Sequence, residues 1–352
     1  MAHIRIDKVT KRFGANTALD AMSLDIADGE FFVLLGPTGA GKTTTLRLIA
    51  GLEKPDSGTV EIAGEDVREW SAAERDVALV FQYYSLYPRY TVRENLAFPL
   101  KSRIRHFSPA EIAERIDKAA KVLRIDHLLD RKTDRLSGGE MQRVSIGRAI
   151  VREPRAFLMD EPLSNLDAKL REALRSELKD LQMKLGATFL YVTHDQIEAM
   201  SMGDKIGILD NGRIVQIGTP NEIYTRPNSV FVARFVGSPA MNLFPGEIAG
   251  GQVTALSGKL KVATPFKATG AVTVGVRSED VAVSPTGALE GKIEVVENHG
   301  VEKIVSLRVG ETLLKATTPS SLATAAGAVL RFDLISDRIH CFDGPSGRSL
   351  AA

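Results

Sequence analysis

Gly36-Pro37-Thr38-Gly39-Ala40-Gly41-Lys42-Thr43 has the residue types and spacing of a phosphate-binding loop. Its glycines let successive backbone N–H groups turn inward around phosphate oxygens. Lys42 can reach the β- and γ-phosphates of a nucleotide, and the Thr43 hydroxyl can ligate Mg²⁺. Asp160-Glu161 follows the apolar run Ala156-Phe157-Leu158-Met159, so the acidic pair stands at the carboxyl end of an expected strand. Ligands bind there in open α/β sheets. Asp160 would hold Mg²⁺ through water, and Glu161 would orient and deprotonate an attacking water in an in-line displacement. A third element, Leu136-Ser137-Gly138-Gly139-Glu140, precedes a helical stretch, and Ser137 and Glu140 have capping-box spacing. The N-terminus of that helix offers free N–H groups and a positive dipole end to a phosphate. Singly, each has a plainer reading as a Gly-rich turn, the acidic start of a surface loop or an ordinary helix cap.

The elements that must position these residues follow from the hydrophobic pattern. Phe31-Phe32-Val33-Leu34-Leu35 is a continuous apolar run, as expected of a buried parallel strand, and it leads into the glycine loop. Lys42 to Leu52 reads as a helix with Gly51 as its stop. Thr188-Phe189-Leu190-Tyr191-Val192 is another buried strand. Leu166, Leu170, Leu174, Leu178, Leu181 and Leu185 recur every three or four residues, one face of a long helix that Gly186 can end. Asn211-Gly212 between two apolar runs signals a hairpin. Thr91-Val92-Arg93-Glu94 and Ser108-Pro109-Ala110-Glu111 are further capping boxes in a stretch, about 90 to 150, that reads as mostly helical.

Composition changes near residue 236, from charge-rich alternation of helices and strands to short Val-rich strands broken by glycine. Gly237-Ser238-Pro239 sits at the join, as a linker would. The length of 352 residues suits two domains, each with a core of its own. With 45 Lys+Arg against 44 Asp+Glu, the chain lacks the footprint of a nucleic-acid or membrane-surface binder. Residues 236–352 hold eleven acidic and eleven basic residues, which argues against nucleic acid as a partner of that region. The single cysteine, Cys341, excludes an internal disulfide and a cysteine-cluster metal site, in keeping with a reducing compartment. The start at Met1 to Lys8 has no signal-like apolar core, and no apolar run approaches the ~18–20 residues that span a bilayer. A cytosolic chain is expected, with any membrane role supplied by partners.

Together these marks resemble the ATPase subunit of an ABC transporter. Phe13 matches the aromatic that stacks on adenine, Gln82 the glutamine-loop residue and Ser137 to Glu140 the signature. Ser164-Asn165-Leu166-Asp167 matches the dimer-contact loop, and His194 the switch histidine. Alone, Phe13 reads as core, Gln82 as uninformative and His194 as a satisfied polar residue; their joint order carries the resemblance. It implies nucleotide contacts from Phe13, from Gly36, Pro37, Thr38, Gly39, Ala40, Gly41, Lys42, Thr43 and Thr44, and from Gln82, Ser137, Gly138, Gly139, Glu140, Asp160 and Asp167. Catalytic roles fall to Glu161, His194, Gln82 and Lys42, and Mg²⁺ ligation to Thr43, Gln82 and Asp160. Tyr83-Tyr84-Ser85-Leu86-Tyr87 is open to two readings, half-buried packing or the surface that meets the membrane subunit.

The tail segments Gly237 to Asn242, Gly275-Val276-Arg277-Ser278-Glu279 and Val295 to Gly300 are similar to those of carbohydrate importer ATPases, such as the maltose and glycerol-3-phosphate ones. The implied fold is an α/β P-loop NTPase, a RecA-like core with a helical subdomain at about 88–150, over residues 1–235. An all-β, oligonucleotide-binding-type barrel for dimerisation and regulation would occupy 236–352. Two copies, or this chain and a homologue, would close head-to-tail around two ATP molecules with Mg²⁺. Two transmembrane permease subunits, and indirectly an extracytoplasmic binding protein, would be the other partners, on the cytoplasmic side of the inner membrane. Thr38 and Ala40 stand where related importers often have Ser and Cys, and Glu140 where Gln is commoner. A polyamine, iron or oxyanion cargo remains an alternative to a sugar, polyol or glycerol phosphate. A soluble ABC ATPase of DNA repair is disfavoured because residues 52–135 show no sustained heptads. A single set of motifs disfavours the two-half translation type, and a P-loop kinase has no place for the signature or His194.

Overall fold

The computed structural model describes residues 2–102, 106–323 and 325–351. The chain divides into a first unit up to Pro220 and a second from Asn221 onward. In the first unit the order is β1 (Ile4–Phe13), β2 (Asn16–Ile26), β3 (Phe31–Leu35), α1 (Lys42–Ala50), β4 (Ser57–Ile62), β5 (Glu65–Asp66) and β6 (Val77–Val80). Then come α2 (Val92–Ala97), α3 (Pro109–Val122), α4 (Gly138–Ile150), β7 (Ala156–Asp160), α5 (Ala168–Leu185), β8 (Thr188–Thr193), α6 (Gln196–Met202), β9 (Lys205–Asp210) and β10 (Arg213–Gly218).

These strands form an antiparallel sheet, β2-β1-β4-β5, and a larger one, β10-β9-β3-β8-β7-β6, whose five strands from β9 to β6 run parallel. The central parallel strands are mostly apolar because both faces are covered: every residue of β3 and β8 is buried. Leu46, Leu48 and Ile49 of α1 share one buried cluster with Ile4 and Ile6 of β1, Leu158 of β7 and Leu190 of β8. Helix α1 is thereby fixed between the two sheets, and with it the loop that precedes it.

Local signals act as their chemistry requires. Asn211 and Gly212 both take positive φ, 46° and 74°, the condition for the tight turn that joins β9 to β10. Capping boxes at Thr91–Glu94, Ser108–Glu111 and Ser137–Glu140 start α2, α3 and α4. Two helices are shorter than their periodicity suggests. Helix α1 ends at Ala50, leaving Leu52 exposed beyond Gly51, and α5 begins at Ala168, with Leu166 buried ahead of its Asp167 cap. No described helix is long and apolar enough to cross a membrane.

The second unit carries α7 (Pro220–Thr225), α8 (Val230–Phe235) and ten strands. These are β11 (Asn242–Ala249), β12 (Gln252–Ala255), β13 (Leu260–Ala263), β14 (Gly270–Val276), β15 (Val281–Val283), β16 (Leu289–Asn298), β17 (Glu302–Val309), β18 (Thr312–Pro319), β19 (Val329–Leu334) and β20 (His340–Asp343). They make two antiparallel five-stranded sheets, β13-β12-β11-β14-β20 and β15-β19-β16-β17-β18, whose inward residues form one core from Phe244 to Cys341. The division at Pro220/Asn221 does not coincide with the composition shift at 235/236, and Arg277 explains why. Its buried guanidinium donates to the carbonyls of Tyr224, Ala233 and Val236 and lies 4.0 Å from the Tyr224 ring centroid. The helical segment 221–236 is bound by those contacts to the β-rich unit, whose strand pattern it does not share. Burial, followed by the bond to Glu279, pushes the Tyr224 phenol up to about 12. Replacing Arg277 by Met strands the carbonyls it serves, at about 1–3 kcal/mol for each buried acceptor left unpaired. Arg277→Met is therefore expected to lower stability by at least ~2 kcal/mol, read as an earlier denaturant transition of the second unit.

Candidate functional site

The glycine loop is held against its own sheets. A Cβ on Gly36 would lie 2.2 Å from the Leu209 carbonyl oxygen, and one on Gly41 would lie 2.5 Å from that of Ala18. Gly41 also has φ 109°, which L side chains rarely adopt, so the turn from β3 into α1 needs glycine at both positions. The N–H groups of the first turn of α1 have no intrahelical acceptor and give that end a positive potential. Lys42, 6% exposed, donates from Nζ to the carbonyls of Gly36 and Pro37, each at 3.0 Å. Burial pushes its ammonium down, opposed by the carboxylates of Glu161 and Asp160.

Strand register sets the acidic side. Leu35 of β3 pairs with Thr193 of β8, and Asp160 of β7 with Val192, so the ends of these strands are level. The Thr43 hydroxyl donates to Asp160 Oδ1 at 3.1 Å, while burial pushes the Asp160 carboxyl up. A hydroxyl and a carboxylate so placed are hard oxygen donors that suit Mg²⁺. That ion is usually held by one or two carboxylates plus substrate phosphates. Among the described residues no cluster of three His, Cys, Asp or Glu offers an all-protein cage.

Glu161 follows in a left-handed conformation, φ 44°, with its N–H bonded to the Val192 carbonyl at 2.9 Å. That conformation is uncommon for a residue with a Cβ, and strained backbone clusters at functional sites. The turn aims the carboxylate back over the sheet edge. There Oε2 lies 2.9 Å from His194 Nδ1 and Oε1 lies 3.7 Å from Lys42 Nζ. Gln82 does not join the Thr43–Asp160 pair: its Nε2 donates to Ser164 Oγ at 3.3 Å. Ser164 Oγ in turn donates to the Glu161 carbonyl at 2.8 Å, and Asn165 Nδ2 to the Gln82 carbonyl at 2.8 Å. Asp167 caps α5, accepting from the Leu170 N–H at 3.0 Å.

The remaining expected residues stand apart from this cluster. Phe13, at the end of β1, is 44% exposed, so it is not core; the Lys11 ammonium lies 5.0 Å from its ring centroid. Gly138 and Gly139 start α4 against Tyr84 and Leu170, whose side chains would meet a Cβ there at 3.3 and 2.7 Å. Ser137 and Glu140 bond one another. Glu140 Oε2 accepts from Ser137 N–H at 2.7 Å and from its hydroxyl at 2.8 Å, which holds the carboxyl below the usual range. Among the described residues no hydrogen bond links this pair to the glycine loop. In the segment after Gln82, Tyr83 is 72% exposed, whereas Tyr87 packs on Phe98 with ring centroids 4.5 Å apart. Tyr84, Tyr87, Phe98, Pro99 and Arg148 help line an open cleft.

Known proteins match both the fold and this order of residues. An "ABC transporter" family model matches residues 19–164, and a "MalK OB fold domain" model matches 237–281. The sn-glycerol-3-phosphate import ATP-binding protein UgpC of Ruegeria pomeroyi is 45% identical over 353 residues, covering 100% of both chains. The chain belongs to the ATP-binding subunits of ABC transporters. It is also 44% identical to the trehalose/maltose import ATP-binding protein MalK of Thermococcus litoralis, over 99% of this chain and 100% of that one. Among solved structures, a dimeric ATP-binding cassette in a post-hydrolysis state bound to ADP and Pi is 33% identical, with TM-score 0.55 over 62% of this chain and 98% of that one. The protein is thus an ABC ATPase, an ATP-binding enzyme of the import type. Its nucleotide-binding fold is a P-loop α/β fold, followed by a unit whose ten strands carry the OB-type domain.

Two residues of this ABC ATPase that bond to segments beside the site carry no motif signal of their own. Arg171, one turn into α5, and Glu198, buried in α6, become visible only through the atoms they touch. The Ser137–Glu140 cap leads to a test. Glu140→Ala should destabilise the protein by ~0.5–2 kcal/mol, the usual cost of a lost cap. Glu140→Gln keeps an acceptor and should change ATPase rate by less than about threefold. Because the folded carboxyl sits below its ordinary value, its contribution is complete above about pH 4.3. It fades as pH falls through the depressed value, so the gap in denaturation midpoint between parent and Glu140→Ala should close in acid.

Proposed function

We propose that this chain powers uptake of a sugar, polyol or glycerol-phosphate solute, two copies closing head-to-tail on two ATP molecules. The observation that carries the catalytic part is Glu161 between His194 and Lys42 at the carboxyl edge of the parallel sheet. Lys42 and the N–H groups of α1 bind the β- and γ-phosphates. Glu161 accepts the proton of a water attacking the γ-phosphorus as the bond to the β-phosphate oxygen breaks, and His194 orients that carboxylate. Thr43 and Asp160 would hold Mg²⁺, with Gln82 reaching it from the Ser164 loop; the ion would neutralise charge developing on the phosphates. Ser137 at the start of α4 would meet the γ-phosphate of the opposite copy's ATP, and Phe13 would stack on adenine. The second unit serves dimerisation and regulation.

The cargo class rests on the names of the relatives, which are importers of glycerol phosphate and of trehalose and maltose. Their import role also supports two permease subunits as partners and a site on the cytoplasmic side of the membrane. The cleft beside Tyr84 suits a short permease helix, since Phe98 leaves an apolar rim 47% exposed and Arg148 is a cation within reach of a helix C-terminus.

Two experiments test these assignments. Glu161→Gln preserves shape but cannot take the proton, so hydrolysis should fall by roughly 10²–10⁴ while ATP binding persists. Lys42→Ala should instead weaken nucleotide binding itself, seen as a raised dissociation constant by fluorescence titration. A parental rate for Glu161→Gln sinks its role as base. For the cleft, the readout is the ratio of permease-stimulated to isolated-chain ATPase, which Phe98→Ser should lower several-fold. An unchanged ratio, with permease still copurifying, would remove the cleft as the docking site.

A further inference from the structure

The guanidinium of Arg171 forks between two loops. Its Nη2 donates to the backbone carbonyls of Ser164 and Leu166, at 3.4 and 3.0 Å. Its Nη1 lies 3.5 Å from Asp195 Oδ2, in a half-buried ion pair. Asp195 divides its carboxylate in the same way, since Oδ1 caps α6 by accepting from the N–H groups of Ile197 and Glu198, at 2.7 and 3.2 Å. One planar side chain therefore ties loop 164–167 to the residue that follows His194.

Both arms end on Glu161. From one loop, Ser164 Oγ donates to the Glu161 carbonyl at 2.8 Å; from the other, His194 Nδ1 meets the carboxylate at 2.9 Å. The His194 side has a second anchor beneath it. Thr193 Oγ1 accepts from the Asp195 N–H at 2.9 Å and donates to the buried carboxylate of Glu198 at 2.6 Å, which also accepts from Tyr191 Oη at 2.9 Å. Glu198 fixes the height of this segment, and Arg171 fixes its lateral distance from the Ser164 loop. The Nε of Arg171 is buried without a hydrogen-bond partner, so the three contacts of its Nη1 and Nη2 account for where the group is held. A lysine presents a point charge and cannot reproduce a planar fork with one prong on each loop.

We propose that Arg171 is a positioning residue for ATP hydrolysis: by locking the Ser164–Asp167 loop to Asp195 it keeps His194 and the Glu161 carboxylate in register. The inference rests on the roles of Glu161 and His194 given above. Among the described residues no hydrogen bond or ion pair joins Arg171 to the glycine loop or Lys42, so nucleotide affinity should not depend on it.

The test is steady-state ATPase kinetics on the full chain carrying Arg171→Met, Asp195→Asn or both, with Glu161→Gln alongside. Asparagine is as good a helix cap as aspartate, so Asp195→Asn removes the charge while keeping α6 started. Each single variant is expected to lose about tenfold or more in kcat, the scale of a small misplacement of reacting groups, with KM for ATP within about twofold of the parent. The double variant should be no slower than Arg171→Met, because both changes cut one link. Multiplying losses, a raised KM with intact kcat, or parental kcat in both single variants would overturn the proposal. If Arg171→Met does not fold, Asp195→Asn carries the same decision. A parental rate for Glu161→Gln overturns the reading beneath; its loss beside an unaffected Asp195→Asn overturns only the positioning role.

Discussion

The contact between Glu161 and His194 depends on three parallel strands ending at one level. Leu35 of β3 pairs with Thr193 of β8 and Asp160 of β7 with the adjacent Val192, so the loops leaving those strands open onto a common edge. A slip of one residue in any pairing would turn the acidic pair and the histidine to opposite faces, because strand side chains alternate. Burial of both faces makes such a slip costly, since in β8 it would part the Tyr191 and Thr193 hydroxyls from the Glu198 carboxylate and leave buried polar groups unpaired. The precision of the site is thus inherited from the core.

Above that edge the site is built from loops that grip one another mostly by side chains donating to backbone carbonyls. Gln82 is held by Ser164 and Asn165, Ser164 by the Glu161 carbonyl, and Ser164 and Leu166 by Arg171. Such contacts depend little on which small polar side chain is present and strongly on where the main chain runs. They connect segments that lie far apart in the chain. The glycine loop is different in kind: it is clamped by steric contact with Leu209 and Ala18 and has little freedom to shift.

The signature helix follows another logic. Ser137 and Glu140 satisfy each other's N–H groups at the start of α4. A phosphate arriving there would compete with that cap for the Glu140 N–H and meet the first-turn N–H groups that the cap does not use. The second unit shows the same economy at its entrance, where the Arg277 guanidinium satisfies carbonyls from both ends of the helical segment 221–236.

What the sequence determined alone was whatever rests on neighbours in the chain. The phosphate loop, the capping boxes at Thr91, Ser108 and Ser137, the Asn211-Gly212 turn and the apolar strands were all legible. Each depends on steric or hydrogen-bonding relations within about four residues. The family motifs extended this reach by their order, which placed Asp160, Glu161 and His194 together before any geometry was known. Tertiary structure decided the pairs that lie far apart in the chain. Gln82 with Ser164, Arg171 with Asp195, Tyr84 with Gly138 and Arg277 with Tyr224 leave no local pattern, because each forms only after the core has brought two segments together. The unit boundary belongs with these. Composition put it where charge density changes, but a polar segment joins whichever body satisfies its carbonyls, and here a single buried arginine from the β-rich unit does so.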